Sequence, residues 1–245
     1  MTGWQCGLLG KHPASPDYLC LGPAAHQLAA VFSWIRAGFT VPVLKALAAH
    51  PVAAGWCFWM LPEGETRLIC GVFKASCDSC GRPAPLLIAG AGRTVAAEET
   101  WDALTEASGD TWKEMETLAD GRHYSAETLT DGLARIPAPP EKLRAPRLDS
   151  VEKALIMEEV GRHLKAARAS RRIGVRLEGD RYNRWQRLLG WQRALQEKMP
   201  IAPYSLFYCE PAGHFELFYR PLNRRDGIRL IEIALSRHST AFPED

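Results

Sequence analysis

The sequence has no long apolar run and no large excess of either charge. None of its hydrophobic segments approaches the roughly 20 apolar residues that a membrane-spanning helix needs. The first sixteen residues lack a basic start followed by a long apolar core, which a secretory signal would have. The formal net charge of the 245 residues is +2, and such a balance does not by itself predict binding to nucleic acid or to a membrane surface. We therefore expect a cytoplasmic protein that neither inserts into a membrane nor binds nucleic acid.

Cysteine is present in an odd number, seven, and the sequence lacks a second Cys-x-x-Cys pair. Several cysteines lie in apolar runs such as 55–59, which is typical of buried, reduced thiols in a cytosolic protein. The pair Cys77 and Cys80 does not supply the four ligands of a structural zinc site. It also lies between two predicted strands, whereas a thioredoxin-type pair stands at the start of a helix. Incidental or structural thiols are therefore favoured over a metal site and a redox site, and we expect no cofactor.

The common catalytic signatures are missing as well. The sequence contains no Gly-x-Ser-x-Gly nucleophile motif, no His-Glu-x-x-His zinc motif and no paired acidic cluster for a two-metal site. The stretch Gly7–His12, GLLGKH, has too few residues between its glycines for a phosphate-binding P-loop,. Because no constellation of residues supports a reaction, we expect a protein that is not an enzyme.

Hydrophobic periodicity predicts an α/β protein with strands in both halves. The first predicted helix should break or restart at Pro42, and Gly109 is the point at which the second would be interrupted. The segment 227–235 is apolar enough for a core helix or a last strand. The predicted strands are 4–11, 56–61, 67–74, 86–89, 172–177, 204–209 and 214–219, and the predicted helices are 23–50, 97–118, 125–136, 149–169 and 181–199.

Short connections join the strands at 56–61, 67–74 and 86–89, which favours an antiparallel meander over a run of βαβ units. A proline-rich connection, 137–147, separates a motif-bearing half, 1–136, from a C-terminal half, 148–238,. This connection is either a linker between two domains or a surface segment within one. Since the C-terminal half has only three predicted strands, we favour a single domain, 1–245, whose sheet takes strands from both halves.

The most informative segment is Gly71–Gly90, in which a polar loop separates two apolar runs. The pattern predicts strand, loop and strand. All the polarity is in the loop, so functional side chains of this segment should be there. The loop contains Ser76, Asp78, Gly81 and Arg82.

Two motifs resemble the TagF/ImpM family, accessory proteins of bacterial type VI secretion. The stretch Gly7–Tyr18 is similar to a family pattern of a strand followed by G-K-x-P-x-x-x-D-F. The segment Gly71–Gly90 is similar to G-V-x-x-P-S-x-D-x-x-G-R-x-F-P-L. The likeness covers residues 4–90 well and is loose beyond them. The matching residues are Gly10, Lys11, Pro13 and Asp17 in the first motif, and Gly71, Val72, Ser76, Asp78, Gly81, Arg82, Pro85 and Leu86 in the second.

The resemblance implies a three-layer α-β-α sandwich around a mixed, largely antiparallel sheet, without enzymatic activity. It implies a cytoplasmic, post-translational regulator that represses type VI secretion through protein–protein interaction. The implied partners are components of the secretion system, among them its forkhead-associated scaffold protein. The oligomeric state stays open.

The charged residues of the two motifs suggest how their loops meet. Asp17, Asp78 and Arg82 lie in predicted loops at strand ends, and a carboxylate pairs with a guanidinium through two hydrogen bonds. We expect Arg82 to pair with Asp17 or with Asp78 and so to hold the two loops together. The joined loops are structural or, in a second interpretation, dock a partner. The alternative function is an enzyme that acts on a phosphorylated protein or a small phosphate through Lys11, Asp17, Asp78 and Arg82.

Basic residues are dense between Arg162 and Arg193 and have few acids beside them. Tyr182, Trp185 and Trp191 lie among them and would suit stacking on a base. Because the whole chain is near neutral, we favour a solvated face neutralised by acids from elsewhere. A docking face for an anionic protein comes second and a nucleic-acid site third. The docking face would comprise Arg171, Arg172, Arg181, Arg184 and Arg187.

Overall fold

A computed structural model describes residues 2–49, 55–62, 67–93, 99–140, 150–167, 170–199 and 201–236. A short 3₁₀ turn, Trp101–Ala103, leads into the third helix. The strands are β1 (Thr2–Lys11), β2 (Tyr18–Leu21), β3 (Gly55–Met60), β4 (Arg67–Cys77), β5 (Pro83–Arg93), β6 (Arg172–Arg176), β7 (Ser205–Cys209) and β8 (His214–Phe218). The helices are α1 (Ala29–Gly38), α2 (Val41–Ala49), α3 (Leu104–Asp120), α4 (Ala126–Arg135), α5 (Ser150–Ala167), α6 (Arg181–Lys198) and α7 (Arg224–Ser236).

The eight strands form one sheet in the order β2-β1-β5-β4-β3-β7-β8-β6. The two halves of the chain meet where β3 pairs with β7, with Trp59 opposite Leu206. Every pairing recorded among the described strands is antiparallel. The predicted α/β class and the largely antiparallel sheet are therefore confirmed, whereas the described strands contain no parallel pair that would make the sheet mixed.

Both faces of the sheet are buried, and the alternation of side chains along β5 shows it. Leu86 and Ile88 belong to one hydrophobic cluster, while Leu87 and Ala89 belong to another, because successive side chains of a strand point to opposite faces. Helices α3, α4, α5 and α6 contribute to the first cluster, and α1, α2 and α7 to the second. With both faces covered, β5 is buried along nearly its whole length, which explains its continuous apolar sequence.

A short chain of buried hydrogen bonds joins three elements on the first face. Trp59 of β3 donates its indole N–H to Thr105 Oγ1 at 2.9 Å, and this hydroxyl donates to Gln192 Oε1 at 2.7 Å. Thr105 lies on α3 and Gln192 on α6, and both are buried. Since buried polar groups are costly unless paired, this chain fixes how the two helices lie against the sheet.

Most predicted elements are present, with instructive differences. Helix α1 ends at Gly38 and α2 begins at Val41, so Pro42 accompanies a restart, whereas α3 continues through Gly109. The segment 227–235 is helical, within α7. Strand β2 was not predicted, since four residues carry little periodicity and their extended form depends on pairing with β1. Asp149, the first residue of the predicted helix 149–169, and residues 141–147 of the proline-rich connection lie outside the described residues.

None of the described helices combines the length and the apolar character needed to span a bilayer.

Helices α1 and α7 approach each other closely at Gly38. A Cβ added there would lie 2.7 Å from Ile231 Cδ1 and 2.8 Å from the carbonyl carbon of Gly227, and backbone atoms cannot move aside cheaply. Gly38→Ala should therefore lower the free energy of unfolding by about 1–3 kcal/mol through overpacking. Urea unfolding followed by tryptophan fluorescence measures this change.

Gly109→Ala is the matched control for this prediction. Its added Cβ would meet only Trp185, at 3.8 Å, and the position is inside α3. Alanine forms helices better than glycine, so this variant should gain roughly 0.5–1 kcal/mol. Changes of the same sign in the two variants would contradict the close contact at Gly38.

Candidate functional site

The two sequence motifs come together at one end of the sheet. Gly10 of β1 and Lys74 of β4 both lie opposite Leu86, from the two sides of β5. The loop after β1 and the turn after β4 therefore emerge side by side. We call them the first loop (residues 12–17) and the second loop (residues 78–82).

Two of the three motif glycines, Gly10 and Gly81, have a backbone conformation that requires glycine. Gly10 has a φ of 121°, and a Cβ at this position would lie 2.2 Å from the carbonyl oxygen of Pro85. Gly81 has a φ of 77°, and its N–H closes the second loop by donating to the Asp78 carbonyl oxygen at 2.9 Å. Residues with a side chain rarely adopt such φ values, so these glycines shape the loops rather than contact a ligand.

The Asp78 carboxylate is the centre of the site. Its Oδ1 accepts hydrogen bonds from the backbone N–H groups of Cys80, at 3.0 Å, and Arg82, at 2.9 Å. Its Oδ2 accepts from Lys11 Nζ and from Arg82 Nε, both at 2.7 Å. The side chain is fully buried. One carboxylate thus satisfies donors from the second loop and binds the cation at the end of β1.

These contacts lower the pKa of Asp78. Burial opposes ionisation, but the hydrogen bonds from Lys11 and from the backbone and side chain of Arg82 outweigh it,. The pKa of the carboxyl is consequently held well below its ordinary value of 3.8. Asp78 stays charged at any physiological pH and acts as a fixed anion.

Two further hydrogen bonds join the loops. Arg82 donates from Nη2 to the carbonyl oxygen of Pro16 at 2.5 Å, and the N–H of Ser79 donates to the carbonyl oxygen of Ser15 at 2.9 Å. Of the two carboxylates expected to pair with Arg82, Asp78 is the one that does. The exposed Asp17 carboxylate has neither a hydrogen bond nor an ion pair with a described residue.

Two other motif residues lie beside this network. Pro13 is half-buried in the first loop. Ser76 lies near the end of β4, opposite Ala84, and its only recorded hydrogen bond within the described chain is a long one to the Cys77 carbonyl oxygen, at 3.5 Å. Neither contacts Asp78 through a hydrogen bond.

His12, which the sequence did not single out, anchors the first loop to α3. It is fully buried, and its Nε2–H donates to the Leu118 carbonyl oxygen while Nδ1 accepts from the N–H of Ala14, both at 3.1 Å. This pattern requires the neutral ring, and burial lowers the pKa of His12 below its ordinary value,. Its place between Lys11 and Pro13 was visible in the sequence, but its acceptor on α3 was not.

The joined loops leave an exposed tip, made of residues 16–18 and 79–82. Tyr18 is 52% exposed, and its ring lies under Lys11 Nζ, which is 5.5 Å from the ring centre. The Arg82 side chain is 58% exposed although its Nε binds Asp78. The tip therefore presents an aromatic ring and charges of both signs. The two loops that carry these groups are held together by hydrogen bonds.

The cysteines are all free. Cys6, Cys57, Cys70 and Cys209 are buried, as expected from the apolar runs around them, and burial raises the pKa of Cys6 to about 12. Cys77 is half-buried, and Cys20 and Cys80 are exposed. Across the described ranges, no three His, Cys, Asp or Glu side chains are grouped as metal ligands.

Two of the five arginines expected to form a docking face bind other groups of the same chain through their guanidinium groups. Arg184 donates from Nε to the Gly179 carbonyl oxygen at 2.6 Å and from Nη1 to the Glu210 carbonyl oxygen at 3.0 Å. Arg187 binds both carboxylate oxygens of Glu159 at 3.0 Å. Arg184 therefore joins α6 to the β7–β8 turn, and Arg187 joins α6 to α5.

The five arginines do not form one face, which corrects the expectation. Arg171 and Arg172 lie at the start of β6 and line a groove together with Lys198, at the end of α6. Arg181 begins α6 at the opposite end and lies 3.7 Å from Glu210. The strand and the helix run in opposite directions, so residues close in sequence lie at two ends of the fold.

The chain matches the model of the TagF N-terminal domain, type VI secretion system-associated, over residues 7–136. More than half of the chain is matched, and the protein belongs to this family. The resemblance seen in the two motifs is thereby confirmed, and the protein is associated with type VI secretion.

One solved structure with this fold is that of PA0076 from Pseudomonas aeruginosa PAO1. The two share 16% sequence identity with a TM-score of 0.51, over 92% of this chain and 93% of that one. The likeness supports the fold over nearly the whole chain, beyond the part that the family model covers. No curated protein matches the sequence.

Replacing Asp78 by Asn should destabilise the fold in a pH-dependent way. Lys11 and Arg82 would lose their shared anion in a buried position. Because the folded pKa is lowered, the stabilisation by Asp78 is complete above the ordinary carboxyl value of 3.8, begins to decrease below it and is lost as the pH falls through the folded pKa,. The difference in urea midpoint between wild type and Asp78→Asn should be large at pH 7 and shrink towards pH 3.

Asp17→Asn is the control for Asp78→Asn, since it makes the same chemical change at an exposed carboxylate in the first loop. Its urea midpoint should equal that of the wild type throughout this pH range. If Asp17→Asn were as unstable as Asp78→Asn, the hydrogen bonds and ion pairs of the Asp78 carboxylate would not be the cause of the lost stability.

Protonation of His12 should destabilise the protein at mildly acidic pH. Since the folded pKa is lowered, the unfolded chain binds a proton more readily, and stability should fall as the pH drops below the ordinary value of 6.5,. His12→Gln should flatten the dependence of the urea midpoint between pH 7 and pH 5. His123→Gln, at an exposed position, should keep the wild-type slope; if it flattens the curve instead, His12 is not the responsible group.

Proposed function

We propose that this protein is a non-catalytic regulator of type VI secretion that represses the system by binding one of its components. Family membership supplies the association with type VI secretion. Repression, binding and the cytoplasmic location are the proposal. The first partner to test is the forkhead-associated scaffold protein that the resemblance implies.

The exposed tip is the observation that supports docking. Four hydrogen bonds to the Asp78 carboxylate, with those from Arg82 to Pro16 and from Ser79 to Ser15, hold the two loops as one unit. A pre-ordered surface binds without the cost of ordering its loops. Exposed Tyr and Arg side chains are also the types that contribute most to protein interfaces.

The same contacts support a role without catalysis. Lys11 and Arg82 would be the phosphate-binding cations of an enzyme, but both already donate to Asp78. Asp78 has a lowered pKa, which makes it a poor general base. Asp17, the remaining acid of the alternative site, is exposed and makes no contact with this network through its carboxylate.

We also propose that the fold is the three-layer α-β-α sandwich implied by the resemblance. The two hydrophobic clusters support it, because each joins one face of the sheet to a separate set of helices.

A double variant of the tip, Asp17→Ala with Tyr18→Ala, tests the docking role. Both side chains are exposed, so the urea midpoint should stay close to that of the wild type, whereas affinity for the scaffold protein should fall by about tenfold or more. In cells that lack the chromosomal gene, this variant should fail to repress type VI secretion, measured as protein released into the medium.

The matched control is Val41→Ala with Glu114→Ala, which removes one exposed apolar and one exposed acidic side chain that do not belong to the tip. It should repress secretion like the wild type. Wild-type repression by the tip variant would rule out docking through the tip. Hydrolysis of a phosphothreonine peptide that disappears in Lys11→Ala would instead support the enzyme.

A further inference from the structure

A second surface of the protein combines a groove with positively charged side chains. The groove has a volume of about 390 Å³ and lies where β6 begins, β8 ends and α5 and α6 end. We call it the β6 groove. Its apolar lining consists of Leu164, Ile173, Met199, Ile201 and Tyr219.

Three cations line the β6 groove, and none of its described lining residues is acidic. Arg172 has a distant partner, since its Nε is 3.7 Å from Glu216 Oε2. Arg171 and Lys198 are exposed and form no ion pair with any residue in the described part of the chain. In a protein of net charge +2, this uncompensated charge favours an anionic ligand.

The groove also offers apolar surface. Ile201 at its rim is 66% exposed and adds accessible aliphatic surface to the apolar lining. Together with Met199 and the ring-bearing residue Tyr219 it forms one apolar patch beside the cations,. The ligand should therefore carry an apolar group as well as negative charge.

The backbone of β6 extends this surface along the edge of the sheet. The N–H of Tyr219 donates to the Arg171 carbonyl oxygen, and the N–H of Leu177 donates to that of Gly213, so odd-numbered residues of β6 face β8. The N–H and C=O groups of Gly174 and Arg176 then point away from β8, and β8 is the only strand paired with β6 in the described sheet. An extended chain can bind to groups arranged in this way.

We propose that the β6 groove binds a short acidic segment of a partner protein. An aliphatic or aromatic anchor of that segment packs on Met199 and Ile201, and its acidic side chains pair with Arg171 and Lys198. The following residues extend along the outer edge of β6. A peptide suits this surface better than a small molecule does, because the apolar rim is open and adjoins a strand edge.

This site is separate from the exposed tip of the proposed function. Six strand spacings lie between β1 and β6 in the sheet, or about 29 Å at roughly 4.8 Å per strand. The protein would thus contact partners at two distant places. The tip variant Asp17→Ala with Tyr18→Ala should keep full binding in the β6 groove, so failure of one proposal does not imply failure of the other.

The experiment uses random dodecapeptides displayed on phage and selected on the immobilised full-length protein. Enriched sequences should carry several acids next to an aliphatic or aromatic residue. As synthetic peptides in fluorescence anisotropy, they should bind about tenfold or more weakly to Arg171→Glu with Lys198→Glu. Their affinity should also fall when salt is raised, since exposed charges are screened.

Arg36→Glu with Lys45→Glu makes the same change in net charge at exposed positions of α1 and α2 and should bind like the wild type. Lack of enrichment, or peptides that bind both double variants equally, would overturn the proposal. The proposal would also be overturned if a single-stranded oligonucleotide or dodecanoate bound in a way that depends on Arg171 and Lys198 while the peptides did not bind.

Discussion

The buried Asp78 carboxylate is the interaction on which the motif-bearing end of the protein depends. A lone buried charge would be strongly unfavourable, but here four donors surround it, two from the backbone and two from cations. The arrangement makes the first loop and the second loop mutually dependent, since Lys11 belongs to the strand before one and Arg82 to the other. The two motifs therefore shape a surface: Lys11 and Asp78 hold the loops, Asp17 and Tyr18 are exposed, and Arg82 does both.

A sheet covered on both faces limits what its residues can be. Where helices or strands approach most closely, glycine is required: Gly71 lies against Ala89, and Gly38 lies against Gly227. Buried polar side chains also join its elements, as in the hydrogen bonds from Trp59 through Thr105 to Gln192. Few positions in the middle of this sheet are free to carry function. Partner contacts are consequently expected at its ends and edges, where the exposed tip and the β6 groove lie.

Local patterns in the sequence predicted most elements, because apolar runs indicate buried segments and turn residues indicate the connections between them. They failed where the structure depends on distant contacts. Strand β2 exists through its pairing with β1. The choice of Asp78 over Asp17 as partner of Arg82 depends on which carboxylate is buried between the loops. The arginines of 171–187 looked like one face because they are close in sequence, whereas the reversal between β6 and α6 separates them. Neither the role of His12 nor the β6 groove has a local signal, since each joins segments far apart in the chain.

The family match ends at residue 136, but the sheet does not. Beyond that point β7 covers the edge of β3 along Cys57–Met60, a run that includes Phe58 and Trp59. A fragment cut at the family boundary would present this apolar strand with unpaired backbone groups, which is a template for aggregation. The limits of a sequence family and the limits of a stable folding unit are therefore different in this protein.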